Sequence, residues 1–222
     1  MSPDPVVLAA GGESLCLLPE RAVLWERRRT LIVADIHFGK SALLREHGLA
    51  VPAGSDAHDR ERLSRLMHAT AASRLIVLGD FLHGALAADH GDASAIGAWC
   101  AAQPGTEIVV VAGNHDRGGG AAFRTVLTWM DEDLVDGGLR FTHDADRTGS
   151  LAADLFTLSG HLHPVARLGG LKGRALRVPV FWRRRGGLVL PSFGVFTGGM
   201  LVQAEAGDEL FAAGPEQVLR LR

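Results

Sequence analysis

The chain has 222 residues, 47% hydrophobic and 22% charged, which suits one domain or at most two small ones around a sizeable core. A formal net charge of −2 gives no global attraction to nucleic acid or membrane, so any surface for a polyanion must be a local patch. No apolar stretch reaches the roughly 20 residues that span a bilayer, and residues 1–5 lack the basic flank and apolar run of a signal peptide, so a cytoplasmic protein with no membrane partner is expected.

Residues 6–9, 14–18 and 22–25 read as short strands, and 30–34 is an apolar run fit for a strand buried on both faces. Residues 56–72 have helical spacing, with Leu63, Leu66 and Met67 on one face. Strand and helix then alternate: strand at 75–78, helix at 93–102, strand at 108–111, helix at 121–129. This order implies a parallel or mixed sheet with helices outside. Beyond about residue 135 the character changes to short strands at 139–142, 155–158, 176–181 and 188–190, separated by glycine-rich turns. Two packed sheets flanked by helices would hold all of it, as one domain over 1–222. Cys16 lies in a strand-like run and Cys100 in a helix-like one, and both read as reduced core thiols.

The apolar strands end abruptly in side chains that can bind metal. The run 30–34 leads to Asp35 and His37, and 75–78 to Gly79, Asp80 and then His83. The run 108–111 leads to Gly113, Asn114, His115 and Asp116; 139–142 leads to His143, and 155–158 to Gly160, His161 and His163. Ligands of open α/β sheets collect beyond the carboxyl ends of the strands, so these five ends aim polar residues at one place. A carboxylate there is costly unless a metal or a partner compensates its charge. Residues two apart on an extended chain project to the same side, so Asp35 with His37, and His161 with His163, can each meet one metal cluster. Carboxylate, imidazole and amide donors without thiolate favour Mn, Fe or Zn over a purely structural zinc site.

Asp35-x-His37, Gly79-Asp80, Gly113-Asn-His-Asp116, a later His143 and Gly160-His-x-His163 stand in the order that resembles the calcineurin-like metallophosphoesterase superfamily. More narrowly, the segments Asp35 to Lys40, Val51-Pro52, Gly79 to His83, Gly160 to Pro164 and Pro191 to Gly194 look like those of the ligase-associated DNA-damage-response endonucleases called PdeM. The resemblance implies an α/β fold of two packed mixed β-sheets flanked by helices, a four-layer αββα sandwich. It implies two divalent ions, Mn first and Fe or Zn as alternatives. Asp35, His37, Asp80 and His163 would hold one ion; Asp80, Asn114, His143 and His161 would hold the other, with Asp80 bridging. A metal-bridging hydroxide would then be the nucleophile. His115 would face the substrate, to stabilise phosphoryl oxygens or protonate the leaving oxygen, with Asp116 orienting its imidazole. The implied activity is a DNA endonuclease in repair, acting on single-stranded DNA in association with a DNA ligase and helicase. His83 departs from the superfamily pattern, where an acidic residue or glycine often stands, and is not assigned to metal.

Lys40, close behind His37, is a candidate for neutralising a substrate phosphate, and His83 for a substrate contact. Arg183, Arg184 and Arg185, joined to Phe181 and Trp182, have the local chemistry of single-strand binding, although a solvated hairpin is the better reading of the cluster taken alone. His47, His58, His68 and His90 read as surface residues. Two alternatives stay open: a phosphohydrolase of small nucleotides or other phosphodiesters, and a protein-binding scaffold without catalysis.

Overall fold

The computed structural model describes residues 5–52, 54–84, 91–146, 155–169 and 175–222. An antiparallel meander opens the chain: β1 (Val6–Ala10), β2 (Glu13–Leu18), β3 (Ala22–Trp25) and β4 (Thr30–Ala34). Helices α1 (Lys40–Glu46) and α2 (Ser55–Ala69) follow, then β5 (Arg74–Leu78), α3 (Gly91–Ala101), β6 (Glu107–Val111) and β7 (Thr128–Met130). From β4 to β7 the neighbours are parallel, with Ile32 opposite Ile76, Ile76 opposite Val109 and Val110 opposite Trp129.

The rest of the chain forms a second sheet. It contains β8 (Leu134–Asp136), β9 (Leu139–Phe141), β10 (Phe156–Ser159), β11 (Pro164–Leu168) and β12 (Leu176–Arg184). It is completed by β13 (Gly187–Val189), β14 (Met200–Leu201), β15 (Glu209–Ala213) and β16 (Val218–Arg220). Its order is β14-β11-β12-β13-β10-β9-β8, with β15 on β12 and β16 on β15. The central trio β9, β10 and β13 is parallel.

Strand alternation sorts the side chains into layers. Ile32, Ile76 and Val109 turn towards Leu139, Leu158 and Leu188 and join the two sheets. Leu31, Val33, Leu75 and Val110 turn the other way, onto Leu63 and Met67 of α2 and Ile96 and Cys100 of α3. Both faces of β4 are therefore dry, which is why its sequence is an unbroken apolar run.

The two packed mixed sheets agree with the sequence reading. Among the described residues, however, the helices lie on the first sheet alone. The outer face of the second sheet has its own small core of Val180, Trp182, Val189 and Leu210, against partly buried Leu162, Val178 and Val202. The helix expected at 121–129 does not form. A 3-10 turn at Gly120–Phe123 gives way to β7, whose Trp129 pairs with Val110. The turn has no side-chain cap, and pairing with the edge of β6 satisfies backbone groups that a weak helix would leave exposed. No helix of the described residues is long and apolar enough to cross a membrane.

Candidate metal centre

Strands β4, β5, β6, β9 and β10 all run towards one edge of the sandwich. Beyond β4 and β5 the chains stay paired, with the amides of His37 and Phe38 donating to the carbonyls of Asp80 and Phe81 at 2.8 and 2.9 Å. The second sheet is tied to this edge through the Phe193 amide on the Ala34 carbonyl, at 2.8 Å. Asp35, His37, Asp80, His161 and His163 all have positive φ, between 45° and 69°. Left-handed non-glycine residues are uncommon, and here they turn the chain off the strand axis at the point where the ligands are needed.

The site is a knot of carboxylates and imidazoles. Asp35, His37 and His163 offer donor atoms all within 4.8 Å of one another, as do Asp35, Asp80 and His143. His163 Nε2 is 3.5 Å from Asp35 Oδ1 and 3.4 Å from His37 Nε2. His143 Nε2 is 3.0 Å from both Asn114 Oδ1 and His161 Nδ1. The seven ligand candidates are thus brought together.

Asp35 and Asp80 are 0% and 2% exposed, and among the described residues their ion-pair partners are histidine rings, with no arginine or lysine. Two buried carboxylates without a fixed cation, ringed by neutral donors, fit a site for divalent ions. Backbone amides aim both acids: His161 N–H donates to Asp35 Oδ2 at 2.9 Å, and His115 N–H to Asp80 Oδ1 at 2.9 Å.

His143 Nδ1 is 3.2 Å from the Leu78 carbonyl, which can only accept, so Nδ1 donates there and Nε2 is the nitrogen turned to Asn114 and His161. Burial above all, then Lys40 and the rings of His163, His83 and His115, pushes the His37 imidazole down to about 2. It is therefore neutral. Its Nδ1 meets His83 Nδ1 at 3.1 Å, which makes His83 a neighbour that orients a ligand candidate. His83 is itself pushed down to about 4, first by burial and then by Lys40 and His115, and it stacks on the His115 ring at 4.5 Å. The side chain of His115 is 43% exposed at the mouth of the site, its Nε2 4.0 Å from Asp80 Oδ2.

Two expected roles are revised by these contacts. Asp116 does not orient His115: its oxygens accept the amides of Leu82 at 2.8 Å, Gly113 at 2.8 Å and Phe81 at 3.3 Å, so it fastens the loop that carries Asn114 and His115. Arg183 pairs with Glu209 and Arg184 with Asp146. Their hairpin, with Arg185, precedes β13, which runs parallel to β10, so it lies at the end of the sheet opposite His161. Lys40 does border the site: burial pushes its amine down, while Asp80 and Asp35 pull it up. Two contributors carried no readable signal. The Ser192 hydroxyl donates to the Asp35 carbonyl at 2.8 Å and supports that strained residue, and Asp144 Oδ2 is 3.8 Å from His161 Nε2. Ser192 stood in the quoted Pro191 to Gly194 segment, but a serine alone points to no role. His90 lies outside the described residues.

Two sheets meeting at an edge furnished with two interlocked Asp/His groups define a metallohydrolase of the phosphoesterase kind. Residues 28–185 match the calcineurin-like phosphoesterase family model, and the chain belongs to that family. It is a metal-dependent hydrolase of phosphate esters. Among solved structures, the nuclease MPE of Pseudomonas putida is 32% identical, with a TM-score of 0.80 over 98% of this chain and 100% of its own. The protein of unknown function AQ665 from Aquifex aeolicus is 15% identical, with a TM-score of 0.43 over 60% of this chain and 78% of its own. No curated protein matches the chain.

Proposed function

We propose that the chain is a dinuclear-metal-dependent phosphodiesterase that cuts single-stranded DNA internally, in a repair setting alongside a DNA ligase and helicase. Asp80 carries the reading: its Oδ2 is 3.7 Å from His37 Nε2 and its Oδ1 is 3.6 Å from His143 Nε2, so one carboxylate faces both donor groups. On this reading Asp35, His37, Asp80 and His163 hold one ion, and Asp80, Asn114, His143 and His161 the other. Mn is the first candidate, with Fe or Zn next. Two such ions, when bound, supply positive charge for a phosphoryl group in transfer and make water acidic enough to react near neutral pH.

The chain's own residues do the rest. Asp116 keeps the Asn114–His115 turn rigid through three amides. His115, exposed at the mouth, hydrogen-bonds a phosphoryl oxygen or gives a proton to the leaving oxygen. His83 holds the His37 ring from behind. The nuclease among the similar structures supports a nucleic-acid substrate, and the resemblance to the PdeM endonucleases supports the repair setting.

The test is Mn-dependent cleavage of circular single-stranded DNA beside an aryl phosphodiester, with His115→Ala as control. Linearised circles that vanish in the control support an endonuclease, because a circle has no ends. Hydrolysis of the aryl ester alone moves the substrate to small phosphodiesters.

A further inference from the structure

The two sides of the metal centre differ in charge. On the Asn114 and His143 side lies a cavity of 720 Å³ whose wall carries Asp131, Glu132, Asp133 and Asp144 beside Arg117; Asp131 pairs with Arg124 and Asp133 with Arg140, which leaves Glu132 and Asp144 without an arginine or lysine partner among the described residues. On the His163 side lies a cleft of 320 Å³ lined by Arg21 and Arg177, with Pro179, Pro191 and Val195 between them and no carboxylate. Neither arginine has an ion-pair partner among the described residues: Arg177 donates to the Gly199 carbonyl, and Arg21 to the Ser192 carbonyl at 3.4 Å. Arg177 is exposed and Arg21 feels Asp59 only at a distance, whereas Arg183 and Arg184 are neutralised by acids in direct ion pairs.

Exposed apolar residues crowd the same flank. Val195, Phe196, Met200 and Leu201 are 41%, 37%, 40% and 46% exposed within seven residues of chain. This ridge is fixed to the metal centre, with the Gly194 amide on the Asp35 carbonyl at 3.2 Å and the Met200 amide on the His163 carbonyl at 3.0 Å. Phe196 and Thr197 also border a hollow shared by His37 and Lys40, whose acids Asp56 and Asp59 are engaged by the Gly39 amide and by Arg62, so the ridge stands between Lys40 on one side and Arg177 on the other. An exposed aromatic ring with a lysine on one side and an arginine on the other has the parts of a surface that grips an unpaired nucleotide: the ring stacks a base, and the cations hold its phosphates.

We propose that the substrate strand passes the metal centre on the His163 side, with an unstacked base on Phe196 and the adjoining phosphates on Arg177 and Arg21. On the other side Glu132 and Asp144 repel a polyanion. A base inside a duplex has both faces covered, so this path selects single strands. The inference rests on the nuclease reading above and deepens it.

The experiment compares the full-length wild type, Phe196→Ala and Arg177→Gln in Mn buffer, on a fluorescent single-stranded oligonucleotide and on bis-para-nitrophenyl phosphate. Phe196→Ala is expected to lower kcat/KM for the oligonucleotide about tenfold more than for the aryl ester, through KM. Arg177→Gln is expected to flatten the slope of log KM against log salt by about 0.7, one single-strand phosphate contact. Equal losses on both substrates would overturn the proposal by locating the damage at the metal centre. An unaltered oligonucleotide KM in both variants would also overturn it, as would a dimer that Phe196→Ala dissociates without a change in cleavage. A wild type that hydrolyses the aryl ester and no oligonucleotide would overturn the nuclease reading itself, before any variant is compared.

Discussion

Gly79→Ala probes how tightly the first sheet and His143, the proposed ligand on the second, are locked. Gly79 has φ +72°, and a Cβ added there would lie 2.0 Å from His143 Nδ1 and 2.3 Å from its Cγ. Non-bonded heavy atoms settle near 3.5–4.0 Å, so the ring must retreat by roughly 1.5 Å. It cannot do so without leaving the Leu78 carbonyl and Asn114, which hold its two nitrogens at 3.2 and 3.0 Å. Gly12 separates backbone strain from the clash: it has φ +77° and nothing within 4 Å of an added Cβ. Gly12→Ala should cost about 1–2 kcal/mol from the left-handed backbone alone. Gly79→Ala should cost that plus about 1–3 kcal/mol for overpacking. For a chain of this length the extra term lowers Tm by several degrees, at about 2–4 °C per kcal/mol. A ligand displaced by more than 1 Å should cost at least about 100-fold in turnover, while Gly12→Ala keeps full activity. Calorimetry, Mn stoichiometry and aryl phosphodiester hydrolysis test this together. Gly79→Ala with two ions bound and turnover within about threefold of wild type would refute the argument that His143 is fixed by the glycine.

His115→Ala should keep both ions and lose about 10²–10⁴-fold in kcat, read by metal analysis and steady-state kinetics; equal loss of metal would show that the residue is structural. Asp116→Ala leaves three amides without their acceptor and should destabilise the fold by about 3 kcal/mol or more, seen as fast hydrogen exchange at Leu82 and Gly113. Burial pushes Cys100 up to about 12, well above the roughly 8.5 of an unfolded thiol, so the native state keeps a proton that the unfolded chain releases. Stability should therefore fall with rising pH above ~8.5, by up to about 1.4 kcal/mol per unit, and urea midpoints of Cys100→Ala should fall less steeply. Chelating the ions should lower Tm, and metal-free Asp80→Ala should melt above metal-free wild type, because it removes one of two buried charges; a lower Tm would show that the acid is held by something other than metal.

The central strands could be read directly, because a strand buried on both faces needs an unbroken apolar run and β4, β5 and β6 have one each. The ligand candidates that the fold brings together could be read because they follow those runs at once. What escaped depends on contacts distant in sequence. β7 is a strand only because it meets the edge of β6, and β15 only because it meets β12. The sequence offers His83 as a histidine near the site, but only the fold turns its Nδ1 onto His37. The arginine run at 183–185 looks like the natural grip for DNA; strand direction carries it to the far end of the sheet, while the isolated Arg21 and Arg177 converge beside His163.

The backbone at the metal centre works against the fold. Of the eight described non-glycine residues with positive φ, five are Asp35, His37, Asp80, His161 and His163. At about 1–2 kcal/mol each their strain is of the order of 5–10 kcal/mol, comparable to the whole net stability of an ordinary domain. Two buried carboxylates facing one another's histidines add an electrostatic cost. Such an arrangement persists only where its surroundings leave no alternative. Those surroundings are specific here: the Ser192 hydroxyl and the Gly194 amide on the Asp35 carbonyl, the Asp80 carbonyl on the His37 amide, and the fully buried β4 and β5 immediately upstream. Divalent ions neutralise the charge but leave the φ angles as they are. The electrostatic part of the cost is thus recovered on metal binding, and the steric part is borne permanently by the two apolar cores, which is why strands of such uniform hydrophobicity end in residues of such uniform polarity.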